Sequence, residues 1–174
     1  MNKKGFYRAL VILFILALNI GCDQVSKSIA RKELTYEYPI PVIKDHFTLI
    51  KIENTGAFLS AGDQLANPYR FILLTFLPML SLFAAVVFVV TTKNLSNLVL
   101  LGIVCVIGGG FGNIYDRVMH GSVTDFMHIR FGSLQTGIFN VADVSIMVGI
   151  GLIVLDAFVK NKQESIDEAE AQPE

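Results

Sequence analysis

Two aspartates define the chemistry open to this chain. Asp125 lies in Val123-Thr124-Asp125-Phe126, and Asp143 closes the segment Phe139-Asn140-Val141-Ala142-Asp143, inside an apolar run that continues to Val159. A carboxylate in such a run costs about 2.5–3.5 kcal/mol to place in a bilayer, so its presence points to function. Two carboxylates drawn to one site cannot both ionise cheaply. They share a proton, and the charged partner can then activate a water.

Other polar residues recur near the ends of apolar runs: Asp23 and Lys27; Asn54 and Gly56; Asn113, Asp116 and Arg117; and Asn140. Asp23 and Lys27 are four apart and Asn140 and Asp143 three apart, so each pair shares a helix face. Asn113 and Asn140 offer amide donors and an acceptor without adding charge, which suits them to hold a carboxylate or a substrate backbone. Arg117 is placed to fork onto a carboxylate or a lipid phosphate, with Asp116 anchoring it. From spacing alone, a structural polar cluster closing one end of a helix bundle explains the same set.

The elements that must position these residues are membrane spans. The chain has 174 residues, is 53% hydrophobic and carries a net charge of −1, with a mean hydropathy of +0.57. That is too apolar for an ordinary soluble domain, and no basic field suggests a nucleic-acid partner. The expected fold is an all-α membrane protein with a small β element, organised as one membrane domain over 1–160. Its four spans are expected at about 6–29, 71–92, 98–115 and 137–159. Pro78 sits inside the second, where a membrane helix tolerates it. Extracytoplasmic segments are expected at about 30–70 and 116–136. Within them, 36–58 and 122–131 alternate apolar and polar residues, as in Phe47-Thr48-Leu49-Ile50-Lys51-Ile52, and read as a small sheet on the membrane surface. Residues 161–174 are acidic and polar and read as a disordered cytoplasmic tail. Lys3, Lys4, Arg8, Lys93, Lys160 and Lys162 favour both termini on the cytoplasmic side.

The opening MNKKGFYRALVILFILALNIGC resembles a secretory signal ending at a lipid-modified cysteine. Asn19 stands where a leucine is usual, and the Asp23/Lys27 pair continues a helix outward, so the segment reads as a retained first span. Gly108, Gly109, Gly110 and Gly112 lack the Lys-Ser/Thr of a phosphate loop. They read as a close helix contact that also opens a groove for a substrate helix. Asp156 and Lys160 read as an interfacial ion pair. The cysteines, Cys22 and Cys105, form no CxxC, and His46, His120 and His128 no HExxH-type pattern. No metal or organic cofactor is expected.

The chain resembles the bacterial lipoprotein signal peptidases (signal peptidase II). The resemblance rests on Asp23-Gln24-x-x-Lys27, Asn54-x-Gly56-Ala57, Gly109-x-x-Gly112-Asn113-x-x-Asp116-Arg117, Val123-x-Asp125-Phe126 and Phe139-Asn140-x-Ala142-Asp143. The five pieces fall in the family's order from Asp23 through the last span. The match departs at Phe58-Leu59, where many members have Ala-Phe, in a substrate-facing loop. The resemblance implies an intramembrane aspartic endopeptidase of the bacterial inner membrane. Such an enzyme removes the signal peptide from diacylglyceryl-modified prolipoproteins, N-terminal to the lipidated cysteine. Asp125 and Asp143 would be the catalytic pair, near the outer face. Asn54, Gly56, Asn113, Arg117 and Asn140 would position substrate, and Asp23, Lys27 and Asp116 would support them. Membrane lipid and globomycin-type inhibitors are implied as partners, nucleic acid is not, and a monomer is expected. A proton- or cation-conducting transporter and a non-enzymatic membrane scaffold are the rival readings.

Overall fold

The computed structural model describes residues 3–57 and 61–170. Its elements, in chain order, are α1 (Lys3–Glu33), β1 (Ile40–Ile43), β2 (Phe47–Asn54), α2 (Tyr69–Thr91), α3 (Asn97–His120), β3 (Val123–Phe131), β4 (Leu134–Gln135) and α4 (Val141–Glu170). All four helices are long and apolar enough to cross a membrane. The strands form one antiparallel sheet in the order β1-β2-β3-β4.

The outward faces of the helices carry exposed apolar residues, among them Phe6, Leu10, Phe14 and Leu18 on α1 and Phe83 and Phe88 on α2. In a bilayer these face lipid, which leaves polar residues to point inward. On α1 the polar stripe is Asn19, Asp23, Lys27 and Arg31, at intervals of four. α2 contains one π-helical turn, Ile72–Phe76, just before Pro78. That position has no backbone donor at the proline, so the regular helical ladder breaks there.

α3 is the central helix, packed against α4, α1 and α2. It starts at Ser96, whose hydroxyl accepts the amide of Val99 at 3.2 Å. It ends at Gly121, which takes the left-handed conformation (φ 75°) usual after a helix. Its glycines are contact points. A Cβ on Gly109 would collide with the Ala142 carbonyl of α4, and one on Gly112 would lie 2.5 Å from Asp23 Oδ2 of α1. Small residues let the backbones approach this closely.

Several sequence-based boundaries shift. α3 does not stop near 115 but continues to His120, so Asp116 and Arg117 are helical. Asp116 needs this placement because its charge is satisfied by α1. The fourth span begins not at 137 but at Val141, because Phe139 pairs back onto β3 through Met127. Asp143 is therefore in the first helical turn instead of about a turn and a half inside the span. α1 extends past 29 to Glu33. The tail expected to be disordered is helical as far as Glu170. Its Lys, Gln, Glu and Ala are good helix formers, and they extend a helix already nucleated in the membrane. Residues 171–174 and Phe58-Leu59 lie outside the described residues.

Gly109→Val should lower stability by about 1–3 kcal/mol through overpacking, whereas Gly21→Ala, with nothing within 4 Å of its new Cβ, should be neutral or stabilising. Thermal unfolding in detergent, read by a thiol-reactive dye reaching buried Cys105 in a Cys22→Ser background, would reveal the difference. Equal melting temperatures would refute the contact assignment.

Candidate active site

Asp125 stands on β3 opposite Ile52 of β2. β3 runs out to Phe131 and turns through Gly132, and the chain then returns alongside it. Phe139 O accepts Phe126 N at 3.0 Å and Met127 N at 2.8 Å, and Phe139 N donates to Met127 O at 2.9 Å. This return leaves Asn140 beside Asp125 and starts α4 there.

Asn140 is the hub. Its side-chain oxygen accepts the amide of Asp143 at 3.0 Å, while Asp143 Oδ2 accepts the amide of Asn140 at 3.1 Å. This reciprocal pair is a capping box, which satisfies helix-end donors and holds the Asp143 side chain in one orientation. The Nδ2 group of Asn140 donates to Asp125 Oδ1 at 2.6 Å and to Asn113 Oδ1 at 3.2 Å. Asn113 Nδ2 donates to Asp143 Oδ1 at 2.9 Å, and Asn54 Nδ2 to Asp125 Oδ2 at 3.0 Å. Every oxygen of the two carboxylates thus accepts a hydrogen bond. Burial pushes the Asp125 carboxyl up to about 6 against the two amide hydrogen bonds, and the charge of Asp143 adds to the rise.

Behind this pair lies a fully buried ion cluster. Lys27 Nζ contacts Asp23 Oδ2 at 2.9 Å, Asp116 Oδ2 at 3.2 Å and Asn113 Oδ1 at 2.8 Å. All three ammonium donors are used. The Lys27 contact sets the Asn113 amide so that its nitrogen faces Asp143. Asp23 Oδ1 accepts the amide of Ala142 at 2.9 Å, tying α1 to the first turn of α4.

All ten residues singled out from sequence converge on this end of the bundle, some in different roles. Asn54 ends a strand and contacts Asp125 itself; its oxygen accepts the amide of Gly56 at 3.0 Å. Arg117 does not fork onto a carboxylate: it donates to the Gly56 carbonyl at 2.8 Å, and its buried Nε has no partner among the described residues. Asp116 does not anchor Arg117 but pairs with Lys27 and, at 2.8 Å, with Arg31. Sequence reasoning missed Arg31, Glu53, Thr124 and the Ser145–Asn19 contact, which the Cys105 carbonyl joins. The four-residue spacing of Asn19, Asp23, Lys27 and Arg31 was the available signal for two of them. At the opposite end, Lys160 pairs with Asp156 at 2.8 Å, as its spacing suggests.

Four apolar helices with an acidic, hydrogen-bonded site at one end define a membrane-embedded protein equipped for acid–base chemistry. A family model described as signal peptidase (SPase) II matches residues 15–159. A lipoprotein signal peptidase of Treponema denticola is 33% identical over 93% of this chain and 96% of its own length. One from a Sulfurihydrogenibium species is 36% identical over 88% and 92%. A solved bacterial membrane enzyme superposes with a TM-score of 0.76 at 25% identity, covering 88% of this chain and 90% of that one. The chain belongs to the signal peptidase II family of aspartic peptidases. It is a multi-pass membrane enzyme that removes signal peptides from prolipoproteins.

Lys27→Met should destabilise the fold by about 3–5 kcal/mol, because it leaves Asp23 and Asp116 buried without a counter-charge. The same dye-monitored melting would register this as a large drop; a wild-type midpoint would mean the cluster is solvated.

Proposed function

We propose that Asp125 and Asp143 are the catalytic dyad, and that the bond cut is the one N-terminal to a diacylglyceryl-modified cysteine. The observation that carries the reading is that one residue, Asn140, hydrogen-bonds both carboxylates, at 2.6 Å to Asp125 and 3.1 Å to Asp143. A hydrolytic pair needs such fixed spacing.

Asp143 is the base. It sits at the positive end of the α4 dipole, where negative charge is favoured. It takes a proton from a water as the water oxygen attacks the scissile carbonyl. Asp125 is the acid. Its raised value lets it keep a proton that hydrogen-bonds the carbonyl oxygen and stabilises the developing oxyanion. The tetrahedral species collapses when the C–N bond breaks. Asp143 passes its proton to the leaving nitrogen, and Asp125, which has kept its own, releases the re-formed carbonyl.

A cleft of about 260 Å³ between α2, α3 and α4 reaches the site from the side of the bundle, lined by Pro78, Leu82, Gly110, Asn113, Arg117 and Ile146. A substrate anchored in lipid can enter laterally there. Gly110 is a close contact on the wall of this cleft, since a Cβ on it would lie 2.8 Å from Leu82. Arg117 lines this cleft and offers its guanidinium as a donor for a substrate carbonyl, with Asn54 and Gly56 beside it. Globomycin-type cyclic peptides compete for the same cleft. The site is complete within one chain, in keeping with a monomer. Arg8 donates to the carbonyls of Thr92 and Lys93 at 3.2 Å, so the start of α1 and the α2–α3 hinge share the end of the bundle away from the dyad. With Lys93, Lys160 and Lys162 near that end, both termini face the cytoplasm and the dyad the outer surface.

Purified enzyme should cleave a diacylglyceryl-prolipoprotein peptide before the lipidated cysteine, while Asp125→Asn and Asp143→Asn fold but lose at least about a thousandfold in kcat. Full activity in either variant overturns the dyad. The pH dependence follows from the sign of the Asp125 shift: its proton is held below about 6 and lost above. Accordingly kcat/KM, which reports the free enzyme, should fall as pH rises beyond about 6. The fall in kcat should come at higher pH, because bound substrate excludes water. A kcat/KM profile flat to pH 9 would contradict the assignment of Asp125 as the acid.

A further inference from the structure

The residue before Asp125 sits in a polar network of its own. Thr124 is fully buried. Its hydroxyl accepts Arg31 Nε at 2.8 Å and donates to Glu53 Oε1 at 3.0 Å. Its backbone amide donates to Asp116 Oδ2 at 3.2 Å, and Asp116 Oδ1 returns to Arg31 Nη2 at 2.8 Å. Arg31, Asp116 and Thr124 therefore close a ring. Glu53 is steadied from the far side by the Ser122 hydroxyl at 2.7 Å.

This ring matters because of strand geometry. Successive side chains point to opposite faces, so the roll of β3 at Thr124 dictates where the Asp125 carboxylate points. The ladder holds Val123, Thr124 and Asp125 in register with Asn54, Glu53 and Ile52, but it breaks immediately beyond Asp125. The β2–β3 register is irregular between Leu49 and Ile52, and Asp125 faces an apolar partner, Ile52. Irregularities of this kind bend and twist a strand, often beside active sites. A restraint on the neighbouring residue is what the arrangement needs, and Arg31 supplies it from the last turn of α1.

We propose that Arg31, acting through Thr124, is a positioning residue that aims Asp125 at its partner carboxylate. The proposal rests on the reading of Asp125 as catalytic. Arginine suits the role because its rigid planar fork engages the hydroxyl and the Asp116 carboxylate together; a lysine ammonium at the same place satisfies one of them. Glu53 holds the hydroxyl from the sheet side.

The test uses the full-length enzyme, a diacylglyceryl-prolipoprotein peptide, and the variants Thr124→Val, Thr124→Ser, Arg31→Lys and Asp125→Asn. Thr124→Val keeps the shape but breaks the ring, and should lower kcat by about 10- to 100-fold with KM changed by less than about threefold. Its alkaline limb in kcat/KM should move by about half a pH unit or more, because the hydrogen bonds from Asn140 and Asn54 to the carboxylate are re-aimed. Thr124→Ser, which retains the hydroxyl, should recover most of the rate. Arg31→Lys should behave like Thr124→Val, and it carries the test if the valine variant does not fold. Wild-type kcat and pH profile in Thr124→Val or Arg31→Lys, or a loss borne by KM alone, overturns the proposal. If this happens while Asp125→Asn is inert, the dyad stands and the positioning role falls. If Asp125→Asn still cuts, both fall.

Discussion

Lys27 carries a positive charge where no water can solvate it, and the architecture follows from how that charge is satisfied. Its three donors go to Asp23, Asp116 and Asn113. Each contact has a second consequence. Asp23 uses its other oxygen to hold the amide of Ala142, which fixes the start of α4 against α1. Asp116 uses its other oxygen to hold Arg31. Asn113, with its oxygen committed to Lys27, can only turn its nitrogen toward Asp143. Desolvating an ion costs several kcal/mol, so a cluster this dry survives only when each partner is met. The geometry at the two carboxylates is thus stabilised from behind.

The second constraint is the start of α4. A helix that begins in the membrane leaves unpaired amides, and the Asn140–Asp143 capping box satisfies two of them. That same box brings a carboxylate to the helix end in a fixed orientation, while the hub amide reaches across to the sheet. The cap and the candidate active site are one object. The sheet completes it because the return of residue 139 along β3 sets the distance between Asp125 and α4.

α3 does two jobs with one glycine-rich stretch. On the faces toward α1 and α4 the missing side chains allow close backbone contact at Gly112 and Gly109; on the face toward α2, Gly110 meets Leu82 beside a cleft that reaches Asn113 and Arg117. Tight packing on two sides holds the carboxylates rigid.

Much of this was legible in the residues. Four apolar runs, interrupted by carboxylates and amides that a bilayer does not tolerate without purpose, determined a four-helix membrane protein and drew attention to Asp125 and Asp143, while its being an enzyme was implied by the five ordered motifs. The i, i+4 spacing of Asp23/Lys27 determined that they share a face, because helical periodicity is local, whereas Asn140 lies just before α4 and meets Asp143 through the capping box. What the spacing did not contain was which faces meet. Asn54 turned out to touch Asp125 itself, Arg117 to hold the Gly56 carbonyl instead of a carboxylate, and Asp116 to serve Lys27 and Arg31. The ends of α3 and α4 were also misplaced, since capping and pairing back onto β3, not hydropathy, end or begin a helix there. Those outcomes depend on contacts between residues up to 119 positions apart. Only tertiary structure decides them, because in a medium without water each buried donor must find whichever acceptor the packing brings within 3 Å.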